Sequence, residues 1–179
     1  MSFTGWLARD SLERSLRELC LLQHDESLIS CIELSDWRRG GAESFIAEAE
    51  ILCSSSEGDR RRRFVAKAVL PPFGWAVVDY LAEMMGRRTM LAEAGVPVVQ
   101  QYAVREGVLF QAHLPYSVSD LYRSGNWAEP MMAQAHDIER KVRALGFHPL
   151  NVLADLRSDG EKLYYVDFGA DLGGPSSAP

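Results

Sequence analysis

Two polar residues near the end of the chain have side chains suited to binding a divalent cation. Asp167 opens the tripeptide Asp-Phe-Gly directly after the apolar run 163–166, and Asn151 lies on the short segment before that run. Carboxylate and amide oxygens are hard ligands that Mg²⁺ accepts, and such an ion can bridge the phosphates of a nucleotide triphosphate. Both residue types are also common in turns, but a carboxylate after an apolar strand is costly to bury without a partner. The pair predicts a magnesium–nucleotide site, with Asp171 as a weaker third candidate.

A single cation lies upstream, in a segment that is otherwise apolar. Lys67 belongs to the run 64–70, and the alternation of side chains along a strand places Val65 on the same face. A lysine there can bind the α- and β-phosphates of a nucleotide, with Val65 against the adenine. The alternative is a lysine that snorkels from an edge strand. Glu83 on the following helical segment is the expected partner that orients Lys67, and Asp79, one turn earlier, is the substitute.

The segments that carry these residues follow a regular order. Alternating or apolar runs predict strands, and apolar residues at three- to five-residue intervals predict amphipathic helices. Strands are expected at 29–34, 44–53, 64–70, 98–104, 108–111, 151–156 and 163–166, and helices at 6–22, 77–94, 117–123 and 129–145. The predicted fold class is α+β. Its first five strands form an antiparallel sheet, and helix 77–94 lies between the third and fourth strands.

Length and composition limit the class of protein. The chain has 179 residues, of which 47% are hydrophobic and 25% charged, so it has room for one core and a small bilobal domain at most. We divide it into an N-terminal helix at 1–28, one domain at 29–173 and a disordered tail at 174–179. The net charge of -6 argues against a nucleic-acid partner. Because no stretch approaches the roughly 20 apolar residues of a membrane span and no signal-peptide pattern is present, no membrane partner and a cytoplasmic location are expected.

Two other features have ordinary interpretations. Cys20, Cys31 and Cys53 follow neither zinc-site nor disulfide spacing, so they are expected to be small core residues in a reducing compartment. Residues 60–63 are four consecutive arginines. They predict the solvated shoulder of a hairpin, with a docking patch for an acidic partner as the alternative.

The order of elements and several motifs resemble the protein-kinase-like superfamily. Residues 64–67, Phe-Val-Ala-Lys, are similar to the Val-Ala-Ile-Lys of the third kinase strand. Glu83 lies where that family keeps the glutamate that pairs with this lysine. Residues 91–98 look like the helix exit of the aminoglycoside phosphotransferase branch, and residues 108–115 resemble the strand that leads into the hinge. Residues 148–153 are similar to the His-Pro-x-Asn-x-Leu end of that branch's catalytic loop.

The resemblance implies a compact protein-kinase-like fold with a five-stranded N-lobe sheet and a truncated helical C-lobe. It implies ATP and Mg²⁺ as cofactors. The cofactor-binding residues that it implies are Lys67, Glu83, Val65, Gly40 and Gly41, and the metal ligands are Asn151 and Asp167. The Gly40-Gly41 pair is shorter than the Gly-x-Gly-x-x-Gly loop of the family.

The chain departs from the family at the residue that accepts the substrate proton. Without gaps, the catalytic-loop aspartate falls on Gly146 and its leading histidine on Ala144; with a gap, that piece is deleted before His148. His148 is then the nearest titratable side chain on the loop and the candidate catalytic base, with packing on the loop as its alternative role. Because the sequence stops soon after Asp-Phe-Gly, we expect no activation segment and no large substrate-binding lobe.

These features are compatible with two functions. The first is a small atypical kinase with a degenerate catalytic loop, since phosphoryl transfer depends mainly on positioning and charge stabilisation. The second is a catalytically inactive pseudokinase that regulates a protein partner. Nucleotidyl transfer and an unrelated α+β domain are weaker alternatives. A protein partner or substrate is expected, and a small-molecule substrate is also compatible. The chain is as short as the miniature effector kinases of bacterial pathogens, which makes delivery into a host cell by a specialised secretion system the second expected location.

Overall fold

A computed structural model describes Gly5 and residues 11–40 and 43–174, without the side chain of Asp171. Gly41, residues 6–10 of the predicted first helix, and residues 175–179 of the predicted tail lie outside the described residues. The helices are α1 (Leu12–Glu18), α2 (Val77–Glu93), α3 (Val118–Arg123) and α4 (Glu129–Ala144). The strands are β1 (Ser27–Arg39), β2 (Ser44–Ser55), β3 (Gly58–Val69), β4 (Gln101–Arg105), β5 (Val108–Ala112), β6 (Tyr116–Ser117), β7 (Leu156–Ser158) and β8 (Leu163–Tyr165). Short 3-10 helices cover Val152–Asp155 and Ala170–Leu172.

The first five strands form one antiparallel sheet in the order β1-β2-β3-β5-β4. The α+β class, the five antiparallel strands and the helix between the third and fourth strands are confirmed. β3 is the middle strand, since it pairs with β2 on one side and with β5 on the other. That position decides the environment of every side chain on β3.

The chain divides into two units. The sheet unit contains the residues up to Pro71 together with Gln100–His113, and the helical unit contains Pro72–Val99 and the residues from Leu114 onward. The described residues before position 29, which were predicted as a separate N-terminal helix, belong with the sheet in this division. In the described ranges, none of the helices combines the length and the apolar character needed to cross a bilayer.

One face of the sheet carries the core of the sheet unit. Leucines from α1 and from the turn after it are buried in one cluster with side chains of β2, β3 and β5. The rings of Phe64 and Phe110 pack with centroids 6.3 Å apart. Burial of each large apolar side chain contributes about 1.5–3 kcal/mol to stability. This face is therefore covered, and Val65 and Lys67 alternate onto the opposite face.

The core of the helical unit includes an apolar stripe on α4, which the sequence predicted as a helix at 129–145. Met131, Ala135, Ile138 and Val142 are all buried, as their spacing of four, three and four residues requires. The two short strands β7 and β8 pair as an antiparallel hairpin, and β6 adds a third strand that the sequence did not predict. β6 is only two residues long, too short for an alternating pattern to be visible.

Two strands of the sheet extend further than predicted. β1 continues through Arg39, whereas the predicted strand ended at residue 34, and it keeps its pairing with β2 through several register shifts. Since β1 is an edge strand, its polar side chains can face solvent and bulges are tolerated. β3 starts at Gly58 and includes all four arginines of 60–63, where only a hairpin shoulder was expected.

The segment around Asn151 is not a strand, which corrects the prediction for 151–156. The Asn151 side chain accepts a hydrogen bond from the Ala154 N–H at 3.4 Å and caps the 3-10 helix Val152–Asp155. Asparagine favours this role because its short side chain competes for nearby backbone groups. Strand structure begins only at Leu156.

Candidate functional site

Lys67 is buried on the middle strand of the sheet. Its side chain is only 7% exposed, and its cross-strand partners are Ile46 on β2 and Leu109 on β5. The interpretation of Lys67 as a snorkelling lysine on an edge strand is therefore wrong. Lysine is rarely buried to this degree, so the position of the ammonium within the sheet is a specific feature of β3.

A buried glutamine shares the face of Lys67. Gln111 lies directly across from Val65, is 7% exposed, and is the diagonal neighbour of Lys67 through Leu109. Its side-chain Oε1 is buried without a hydrogen-bond partner among the described residues. Sequence reasoning missed this residue. The available signal was a single amide in the apolar run 108–112, but only the register of β3 with β5 places it beside Val65.

The same face carries a charged group at one end. Glu48, the β2 partner of Val65, forms ion pairs with Arg38 and with Nε2 of His113, the latter at 3.3 Å. Burial lowers the pKa of His113, and the Glu48 carboxylate only partly offsets that effect. Glu48 is therefore engaged within the sheet.

Gly40 is held close to this face by hydrogen bonds to Ser44. Its N–H donates to the Ser44 carbonyl at 2.9 Å, and a Cβ added to Gly40 would lie 2.6 Å from Cγ2 of Ile46, the partner of Lys67. Only glycine fits so close an approach. Gly40 thus lies against the strand pair that carries Lys67, while Gly41 is outside the described residues.

Glu83 is tied to the Asp-Phe-Gly segment within the helical unit. Arg87 donates from Nε to the Glu83 carboxylate at 3.1 Å and from Nη1 to the Gly169 carbonyl at 2.6 Å. The Tyr80 hydroxyl accepts from the Ala170 N–H at 2.7 Å. Helix α2 therefore holds the backbone after Phe168 at two points. Asp79 is exposed, and the pairing of Glu83 or of Asp79 with Lys67 stays a prediction.

Asp167 lies at the start of a turn after β8. Its Oδ1 accepts from the Gly169 N–H at 3.3 Å, and the side chain is half-buried. Phe168 is fully buried, and its ring lies 6.0 Å from that of Tyr165. The carboxylate is thus fixed between a buried strand and a buried ring. A carboxylate has acceptor capacity beyond one such bond.

Asn151 and Asp167 lie at the same end of the β7–β8 hairpin. Asp167 follows the end of β8 by two residues, whereas Asn151 is separated from β7 by the 3-10 helix Val152–Asp155. Beyond the hairpin pairing, the Val166 N–H donates to the Asp155 carbonyl at 2.9 Å, and the Tyr165 hydroxyl donates to the Asp155 carboxylate at 2.9 Å. Asn151 and Asp167 do not lie on two adjacent strands, as predicted, because Asn151 precedes β7 and Asp167 follows β8.

The donor set fits magnesium held largely by phosphates. Asn151 and Asp167 offer one amide and one carboxylate, both hard oxygen ligands, and Mg²⁺ is usually bound through one or two carboxylates plus substrate phosphates. Among the described residues no group of three or more His, Cys, Asp and Glu side chains is placed to hold a metal ion. These two residues would hold the ion, which would neutralise charge on the phosphates.

The loop before Asn151 contains no carboxylate in the described structure. The His148 side chain is exposed, and its backbone N–H donates to the Leu172 carbonyl at 3.1 Å. The loop backbone, not the imidazole, packs against the segment after Asp-Phe-Gly. Gly146 follows the end of α4 with φ of 83°, a left-handed conformation that disfavours other residues. An aspartate at Gly146 would therefore be strained.

Comparisons with known proteins add no assignment. No protein-family model matches the chain, and no curated protein matches it significantly. The function is therefore inferred from the residues of this chain and their geometry.

Proposed function

We propose that the chain binds ATP with Mg²⁺ and acts as a small atypical kinase whose catalytic loop is degenerate. The observation that carries this proposal is the burial of Lys67 on the middle strand, on a face shared with Val65 and Gln111. Lys67 would bind the α- and β-phosphates, and Asn151 and Asp167 would hold Mg²⁺ on the phosphates. The resemblance to protein kinases described above supports these roles, and so does the order of strands and helices.

Gln111 extends the proposal to the base. Its Oε1 is a buried acceptor that lacks a donor within the described part of the chain, and an unsatisfied buried acceptor is costly. Val65 lies directly opposite on β3 and would contact the adenine ring. The exocyclic amino group of adenine could donate to Oε1, and a ring nitrogen could accept from the Gln111 amide, so this side chain is compatible with a purine base.

A pseudokinase is the second candidate, and one observation favours it. The position to which the family's aspartate aligns is a glycine in a left-handed conformation, and the nearby His148 is exposed. General-base catalysis contributes about 10²–10⁴-fold in many enzymes. Turnover is therefore expected to be slow, and a protein partner that uses the nucleotide-bound form is compatible with this loop.

The test is a lysine substitution with a matched control. Lys67→Met retains length and removes the charge, and it is expected to weaken binding of ATP with Mg²⁺ by roughly tenfold or more, because a charge-assisted contact is lost. Lys162→Met makes the same change at an exposed position and should leave the affinity unchanged. Isothermal titration calorimetry measures both. Equal affinities for the parent and the two variants would remove Lys67 from the site.

Incubation with ATP followed by intact-mass spectrometry separates the candidate functions. A mass increase equal to a phosphoryl group supports the kinase, and one equal to a nucleotidyl group supports nucleotidyl transfer. Binding without any mass change, on this protein or on an added substrate, supports the pseudokinase.

A further inference from the structure

Two side chains of α2 bind the two ends of one peptide group that follows the Asp-Phe-Gly tripeptide. Arg87 donates from Nη1 to the Gly169 carbonyl at 2.6 Å, and the Ala170 N–H donates to the Tyr80 hydroxyl at 2.7 Å. The Gly169 carbonyl and the Ala170 N–H belong to the same planar peptide group. Tyr80 and Arg87 lie roughly two turns apart on α2, so their side chains project from one side of the helix. Together they fix the plane of that peptide group.

Both contacts are shielded from water. Tyr80 is 2% exposed, and its ring packs edge-on against Trp75 with centroids 5.9 Å apart. The Arg87 guanidinium is held in turn by the Glu83 carboxylate, and the two side chains are 13% and 12% exposed. Hydrogen bonds inside a protein are electrostatically stronger than those in water, and a charged donor strengthens them further. These two bonds therefore restrain the backbone more than surface contacts would.

The restrained peptide group adjoins the turn that contains the Asp167 carboxylate. Asp167 Oδ1 accepts from the Gly169 N–H at 3.3 Å, which is longer than the usual N–H···O distance of about 2.9–3.0 Å. That bond alone holds the carboxylate loosely. Because glycine has more backbone freedom than any other residue, restraint of the peptide group on its far side limits how Gly169 and its N–H can move. Tyr80 and Arg87 supply that restraint.

We propose that Tyr80 and Arg87 are positioning residues that hold the Asp167 carboxylate in the orientation that binds Mg²⁺. This role rests on the proposed function, because it concerns the same ion. It also gives Glu83 a task within the helical unit, since its carboxylate orients Arg87. Outer-shell partners of metal ligands typically contribute about 10–100-fold to metal affinity, and effects of that size are expected here.

Tyr80→Phe tests the hydroxyl with the smallest change. The ring that packs against Trp75 is kept, and only the acceptor for the Ala170 N–H is lost. The gain in ATP affinity that Mg²⁺ provides should fall roughly tenfold or more, whereas the affinity measured without Mg²⁺ should stay within about threefold of the parent. Tyr164→Phe is the matched control, because the Tyr164 hydroxyl donates to Asp159 at 2.9 Å in the turn at the other end of the β7–β8 hairpin. Calorimetric titration should show the parent's gain from Mg²⁺ in this control.

Arg87→Lys tests the second contact. Lysine keeps a positive charge beside Glu83 but lacks the guanidinium fork that reaches Glu83 and the Gly169 carbonyl at once. The gain in affinity from Mg²⁺ should again fall roughly tenfold or more. Arg143→Lys is the control, because Arg143 pairs with Glu139 in the same i,i+4 arrangement on α4, with its side chain 49% exposed. Its Mg²⁺ dependence should be that of the parent.

Amide hydrogen exchange, followed by NMR, provides a readout that needs no nucleotide. The Ala170 N–H should be protected in the parent, and Tyr80→Phe should speed its exchange by about tenfold or more, because its hydrogen-bond acceptor is gone. The Leu163 N–H, which donates to the Gln134 side chain at 3.0 Å, serves as the internal control. Its exchange should be unchanged in Tyr80→Phe.

The outcomes separate the positioning role from the proposed function. Unchanged Mg²⁺ dependence in Tyr80→Phe and Arg87→Lys, beside a parent that needs Mg²⁺, would overturn the positioning role alone. A loss of equal size with and without Mg²⁺ would also overturn it, because a general structural role predicts that result. The same holds for unchanged exchange at Ala170 in Tyr80→Phe, or for equally faster exchange at Leu163. A parent that binds no ATP, or binds it independently of Mg²⁺, would overturn both the proposed function and the positioning role.

Discussion

Asp167→Asn is expected to abolish the Mg²⁺ dependence of ATP binding. Asparagine keeps an oxygen that can accept from the Gly169 N–H, so the turn after β8 should persist. It removes the negative charge that would hold the ion. Even outer-shell partners of metal ligands are worth roughly 10–100-fold in affinity, so loss of a direct ligand should weaken binding of ATP with Mg²⁺ by at least about 100-fold.

Asp159→Asn is the matched control. Asp159 lies in the turn at the other end of the β7–β8 hairpin, where its Oδ1 accepts from the N–H groups of Glu161 and Lys162 at 2.8 and 2.9 Å. The chemical change is identical, and nucleotide affinity should be that of the parent. Calorimetric titration with and without Mg²⁺ measures both. A similar response of the two variants would show that Asp167 does not bind the ion.

Arg62→Met is expected to cost about 3 kcal/mol of stability, the lower end of the range for breaking a buried ion pair. Glu26 is 2% exposed, and its partner Arg62 is 25% exposed. Burial alone would raise the pKa of Glu26, but the Gln23 N–H and the Arg62 guanidinium together hold it below its ordinary value. Removing Arg62 leaves a carboxylate buried without its counter-charge. Chemical denaturation should show the loss.

Three comparisons test this ion pair. Arg61→Met removes a neighbouring arginine that is 71% exposed and should change stability by less than about 0.5 kcal/mol. Adding Glu26→Gln to Arg62→Met should recover part of the loss, because the unpaired charge is then gone.

The third comparison is pH. Because the folded-state pKa of Glu26 is lowered, the stability that the pair contributes is fully present above the pKa of an unfolded glutamate. It is lost as the pH falls through the lowered value. The difference between parent and Arg62→Met should therefore shrink in acid. Equal losses for Arg61→Met and Arg62→Met would contradict the assignment.

The local pattern of apolar and polar residues was sufficient to predict most of the helices and strands. Alternating and apolar runs predicted five strands, and helix α2 was predicted from its apolar spacing. The stripe on α4 was recognisable because 3.6-residue periodicity is a local property. The ends of β1 and β3 were missed because polar residues on an edge strand or in an ion-paired strand weaken the alternation.

The environment of single residues could not be predicted in this way. The burial of Lys67 depends on β5 pairing beside β3, and Gln111 faces Val65 only through that register. Glu26 and Arg62 are 36 residues apart in the chain, and nothing in either segment indicates the other. These features depend on which distant segments pair with one another. A single sequence has no local pattern that indicates that pairing.

Titration of ATP into the parent protein by calorimetry, in Mg²⁺ and again after chelation, tests the central claim most directly. The account predicts saturable binding in Mg²⁺ and a large loss of affinity when the metal is chelated. Absence of ATP binding in both conditions would contradict the account, and so would equal binding with and without the metal.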